Sequence, residues 1–117
     1  MSNAELLNAI ERYQNTPLIV EGAKDKTALH ALGFSRVFIL NEHRGSLRER
    51  VERIAASLFK KEKVCILTDT DKRGRKLTAC IAPILHELGF PTDKTLKKEL
   101  RKAGVSHVEG LYKFLKD

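Results

Sequence analysis

A chain of 117 residues suffices for one domain that buries about two-thirds of its unfolded surface, so folding requires neither a disulfide nor a metal. The apolar fraction of 42% suits a globular domain. No run approaches the ~18 apolar residues of a membrane helix or forms a signal-peptide core, so a cytoplasmic protein without a membrane partner is expected. Twenty-two Lys and Arg against fifteen Asp and Glu leave a net charge of +7, which points to polyanionic partners, nucleic acid first.

In chain order, "SNAELLNAIERYQN" is expected to form a helix with Leu6, Leu7, Ile10 and Tyr13 on one face, Ser2 and Glu5 having capping-box spacing. "NTP" ends it, because proline disfavours helical geometry in the residue before it. "LIVEG" reads as a short buried strand ending at Glu21. "KDKTALHALGF" follows as a helix stopped at Gly33. "RVFIL" is a second buried strand, "NEHRGS" its loop, and Ser46 the cap of a long helix, "LRERVERIAASLFKKE", with the stripe Leu47, Val51, Ile54, Leu58. "KVCILTD" is a third strand. "GRKLTACIAPILHELG" is the next helix, interrupted by Pro83 and ended at Gly89. "DKTLKKELRKAG" is a further amphipathic helix, "VSHVEG" a short fourth strand, and "LYKFLK" a terminal helical turn. Cys65 and Cys80 both fall in apolar patterns, as two reduced, buried residues.

Continuous apolar strands alternating with amphipathic helices predict an α/β fold, a parallel sheet covered on both faces. One domain spans residues 1–117, with an N-terminal helix (1–16), a core (17–90) and a C-terminal extension (91–117). Such folds place their site beyond the carboxyl ends of the strands. Glu21 ends the first strand, Asn41 and Glu42 the second, Asp69 and Asp71 the third. Neighbouring parallel strands lie ~4.8 Å apart, so Glu21 faces the Asp pair if their strands are adjacent. Converging carboxylates repel unless a positive group neutralises them, and Mg²⁺ or Mn²⁺ suits that role. The alternative for Asp71 is a helix cap.

Directly after these acids come Lys72, Arg73, Gly74, Arg75 and Lys76. Cations in a first helical turn oppose the helix dipole, which an anion docked at the helix start would repair; Gly74 would let backbone approach a phosphate. Long side chains splayed into solvent are the plainer alternative.

"LIVEGAKDKTAL" followed by "VCILTDTDKRGRKLTACI" resembles the Toprim domain of primases, topoisomerases, OLD-family nucleases and the ribonucleases that mature 5S rRNA. The resemblance covers Leu18 to Leu88 and rests on a glutamate ending the first strand and a DxD, followed by glycine, ending the third. It implies a compact, Rossmann-like three-layer sandwich with about four parallel strands, in which Asp69 and Asp71 hold Mg²⁺ and Glu21 acts as an acid/base or a further metal-site residue. Lys24 and Asp25 match the "EGxxD" of primases and the rRNA-maturing ribonucleases; Lys24 then contacts phosphate or is simply solvated. Topoisomerases usually carry a third acid where this chain has Arg73, and several carry a glutamate where it has Arg75. The relatives implied are therefore the primase and ribonuclease branch, and a stand-alone small protein is expected, with protein partners as the source of any further domains.

Asn41, Glu42, His43 and Arg44 are expected to border the same crevice. His30, His86 and His107 lack metal-ligand spacing, His107 and Glu109 could lie near a strand end, and Tyr13 and Tyr112 read as packing residues. The run Lys94, Lys97, Lys98, Arg101, Lys102 covers an exposed helix face, as a nucleic-acid track or as ordinary surface. Two functions follow: metal-dependent chemistry on RNA or DNA phosphodiesters, or non-catalytic binding of nucleic acid or nucleotide. A phosphatase or nucleotidyl-sugar transferase lacks supporting motifs.

Overall fold

The structure, a computed structural model, describes residues 3–105 and 110. Its elements run α1 (Asn3–Arg12), β1 (Leu18–Val20), α2 (Ala23–Ala31), β2 (Val37–Ile39), a 3₁₀ turn (Leu40–Glu42), α3 (Leu47–Ala55), β3 (Cys65–Ile66), α4 (Lys72–Glu87) and α5 (Thr95–Lys102). Among the described residues the sheet has three strands in the order β2-β1-β3, all parallel, with Ile19 of the central strand opposite Phe38 and Ile66. Glu21 and Asp69 therefore do follow adjacent strands.

Side chains alternate across a strand, and this divides the core into two layers. Leu18, Val20, Val37, Ile39, Cys65 and Leu67 pack towards α1, α2 and α5. Ile19, Val64 and Ile66 pack the other way, against Val51 and Ile54 of α3 and Ile81 and Leu85 of α4. The three-layer α/β arrangement is as expected from the sequence.

Several details differ. Among the described residues the sheet has three strands, where about four were expected of the chain. The chain after α4 forms a single parallel bridge, Val64 to Thr92, outside β3 and then turns into α5. Val105 is buried without strand structure. The rest of the expected fourth strand, His107, Glu109, Tyr112, the terminal turn and the Ser2 half of the first capping box lie outside the described residues, Gly110 excepted.

In α1 the buried stripe is Leu6, Ala9 and Ile10, continued by Tyr13 in the turn that follows, while Leu7 is half exposed, because it sits about 100° around the helix from Leu6. The helix α3 is shorter than expected: it starts at a complete Ser46–Glu49 capping box but stops at Ala55. The following turn is held by Glu62, which accepts from the Phe59 N–H and pairs with Arg36. Cys80 is exposed, contrary to expectation, because it lies off the Leu77–Ile81–Leu85 face of α4. Cys65 is buried, and that burial pushes its thiol pKa up to about 12, leaving it inert.

Candidate functional site

Glu21 follows β1 directly and is buried at 9% exposure. A buried carboxylate is costly unless it is paired. Its partner is Arg73, whose Nη2 donates to Glu21 Oε1 at 2.7 Å. Arg73 reaches in from solvent, with its side chain 69% exposed against 11% for that of Glu21. The pair raises the guanidinium pKa: the hydrogen bond that Arg73 donates to Glu21 and the charge of that carboxylate act first, and Asp71 and Asp69 add to them. All three motif carboxylates thus act on the Arg73 guanidinium. Glu21, Asp69 and Arg73 line an open cleft of about 320 Å³, together with Gly22, Lys24, Asp25 and Asn41. The Asn41 N–H donates to the Glu21 carbonyl at 3.1 Å, which ties the end of β2 to the end of β1. Asp25 accepts from the Gly22 N–H at 3.1 Å and so fixes the turn into α2.

Asp71 caps α4: its Oδ1 accepts from the Gly74 N–H at 2.8 Å. The helix consequently begins at Lys72, two residues before the expected start at Gly74. Gly74 is buried, and a Cβ there would lie 1.9 Å from the Asp69 carbonyl oxygen. The glycine serves the packing of α4 against the strand end, not the close approach of a phosphate, and its N–H is already taken.

Below the strand end lies a polar cluster that the sequence did not signal. Thr68 is buried and its hydroxyl donates to the Gly74 carbonyl at 2.8 Å. Thr68 and Thr78 hydroxyls meet at 2.7 Å. Lys97 Nζ donates to both, at 3.2 and 3.1 Å. Lys97 was expected on an exposed face; here it is half-buried. Desolvation lowers its pKa, Arg101 lowers it further, and Asp69 and Glu21 act in the opposite sense. The one available clue was Thr68, a hydroxyl at the end of an apolar run that needs a partner when buried.

Residues 16–102 match the Toprim domain family. The chain belongs to the Toprim family. It is 38% identical to a UPF0292 protein of Thermococcus kodakarensis over 92% of this chain and 81% of that one. It is 28% identical to a UPF0292 protein of Methanocaldococcus jannaschii over 95% of this chain and 90% of that one. A solved structure of an Aquifex aeolicus protein shares the fold, with a TM-score of 0.76 at 24% identity, covering 92% of this chain and 96% of that one.

Toprim domains generally bind Mg²⁺. Among the described residues no three His, Cys, Asp or Glu side chains form a metal-holding group. Mg²⁺ commonly takes only one or two carboxylates with waters and phosphates, however. Glu21 and Asp69 offer hard oxygen donors on one cleft, which already holds a positive charge in Arg73. Asp71 keeps a second oxygen beside the one that caps α4. The residues fit a hard cation, provided Arg73 leaves Glu21.

The expected rim and cation run divide. Lys24, Asp25 and Asn41 line the Toprim cleft. Glu42 and His43 instead line a separate depression with Arg36 and Phe38, and the Arg44 carbonyl accepts from Arg53 at 2.6 Å. Of the run after the DxD, only Arg73 lines the Toprim cleft. Arg75 donates to the Thr70 carbonyl at 2.6 Å and lines a different cleft, and Lys72 and Lys76 are exposed. No helix among the described residues is long and apolar enough to cross a membrane.

Proposed function

We propose that this Toprim protein carries out Mg²⁺-dependent chemistry on nucleic-acid phosphodiesters, nuclease-like or primase-related. What supports it is one observation: Glu21 and Asp69, at the ends of adjacent strands, line one cleft whose other charged groups are Arg73, Lys24 and Asp25. Asp69 and Asp71 would hold the cation, with Glu21 beside it; when bound, it supplies neutralisation of the phosphate oxygens. Arg73 transfers its guanidinium from Glu21 to an incoming phosphate, with which it can pair bidentately. Glu21, so released, moves a proton to or from the reacting oxygen. Lys24 holds the adjacent phosphate. Arg73 in place of the third acid of topoisomerases favours the primase and rRNA-maturing ribonuclease branch. The test is metal-dependent cleavage of labelled RNA and DNA panels. Glu21→Gln and Asp69→Asn are expected to abolish it, and cleavage that survives both counts against the site.

A second reading, a non-catalytic nucleic-acid or nucleotide binding module, is favoured by the Glu21–Arg73 pair, which satisfies the carboxylate without a metal. Arg73→Ala separates the two. An enzyme held off by this pair binds Mn²⁺ a few-fold more tightly once Arg73 is gone, measured by calorimetry. A binding module, which would hold its ligand through Mg²⁺ as well, shows no turnover in either form and loses nucleic-acid affinity, with a smaller salt dependence.

A further inference from the structure

A second cleft, of about 290 Å³, opens on the other side of α4. It lies at the outer edge of β3, where α4 covers one face of the sheet and α5 the other. Arg73 and Arg75 are two residues apart, about 200° around a helix, so α4 sends one to each cleft. Arg75, Thr78 and Ala82 have the i, i+3, i+7 spacing of a single helical stripe, and all three line this cleft. From α5 come Lys97, Lys98 and Arg101, with Lys94 at its start, again at one-stripe spacing. The opposite side of α5 carries Leu96 and Leu100 into the core, which fixes the direction of the cationic stripe.

The cleft therefore holds five cations, and none of them is in an ion pair among the described residues. Asp93 is the one acid on its wall among the described residues. Its oxygens are engaged by the Tyr13 hydroxyl at 2.8 Å and the Thr95 N–H at 2.9 Å. Like charges gathered in this way repel: burial first, and then Arg101, disfavour the charge on Lys97. The floor is different in kind. Ile66 and Ala82 are apolar, and the hydrocarbon stems of the lysines extend that surface. A mostly apolar floor with a few directed charges is the character of a small-ligand site.

We propose that the α4–α5 cleft is a second binding site, distinct from the Toprim cleft, that takes a nucleotide unit: phosphate on Arg75, Lys98 and Arg101, base over Ile66 and Ala82. The unit is either a free nucleotide or one residue of a single strand. Lys97 is held by Thr68 and Thr78, so its position is set before a ligand arrives.

The full chain is titrated in EDTA with AMP, with inorganic phosphate, and with short fluorescein-labelled single-stranded RNA and DNA. Binding is read by fluorescence anisotropy and by NMR shifts of the Ile66 and Ala82 methyl groups. AMP or a strand is expected to shift both methyls. The double variant Lys98→Glu, Arg101→Glu, whose sites are exposed, is expected to weaken binding by about tenfold or more, and Arg75→Glu from the opposite wall likewise. Binding that persists in the double variant Lys24→Ala, Arg73→Ala, which removes both cations of the Toprim cleft, separates this site from it. Tighter binding by AMP identifies the free nucleotide; tighter binding by a strand, displaced by AMP, identifies a strand residue. The proposal is overturned if no probe moves Ile66 and Ala82, if inorganic phosphate binds as tightly as AMP, or if charge reversal on both walls changes nothing.

Discussion

At the scale of single residues, the turn after β3 serves two purposes at once. Gly74 lets α4 pass within contact of the Asp69 carbonyl, where a Cβ would lie at 1.9 Å. Gly74→Ala is therefore expected to cost about 2–3 kcal/mol in urea denaturation, because backbone must move to relieve the overlap. Asp71 both caps α4 and belongs to the metal-binding pattern, and two substitutions divide these roles. Asp71→Ala removes the bond to the Gly74 N–H and should lower stability by about 1 kcal/mol. Asp71→Asn keeps a good cap, so stability should hold while Mn²⁺ affinity falls. Equal metal affinity in wild type and Asp71→Asn would leave Asp71 as a cap only.

At the scale of elements, one helix is pinned on both its faces. Leu96 and Leu100 of α5 enter the core beneath the sheet, and Lys97, beside them, reaches the Thr68–Thr78 cluster. Leu96→Ala removes a fully buried side chain and should cost about 2–5 kcal/mol. Leu7→Ala on α1, at a half-exposed position, should stay within about 0.5 kcal/mol. Their urea midpoints compare a buried with a solvent-facing leucine on two helices that pack against each other. The periodicity of α1 revealed a helix and most of its buried face, but not that Ala9 rather than Leu7 completes it. Which boundary residue is buried depends on the neighbouring helix, which a single stripe does not record.

At the scale of the whole molecule, the Arg36–Glu62 pair joins the chain before β2 to the chain before β3. Arg36 Nη2 donates to Glu62 Oε1 at 3.0 Å, and that hydrogen bond holds the carboxyl below its ordinary value of 4.5. A carboxylate depressed in the folded state adds stability that is present above its unfolded pKa and is lost as pH falls through the folded one. Urea midpoints are therefore expected to drop below pH 4.5, with a shallower fall in Glu62→Gln. An unchanged slope in that variant would place the acid sensitivity elsewhere, Asp93 being the next candidate. There, burial raises the pKa, but hydrogen bonds from Thr95 and Tyr13 outweigh it and leave the value lowered. The net charge of +7 adds to the same trend, because protonating acids leaves the cations unopposed.

The α/β alternation, the parallel sheet with helices on both faces, and the order Glu21, Asp69, Asp71 of the Toprim motif can all be read from the amino-acid sequence. Each of these is written in local patterns: apolar runs, helical stripes and the residues that follow strand ends. What no local pattern records is that Arg73 pairs with Glu21, that Arg75 faces a different cleft, and that Lys97 enters beneath Thr68 from α5. A helical period fixes the angle between two side chains. It does not say what stands opposite each of them, because that depends on where distant segments pack. The run "DKRGRK" is one stretch of sequence but lies on two sides of the fold, because α4 starts at Lys72 and turns Arg73 and Arg75 apart.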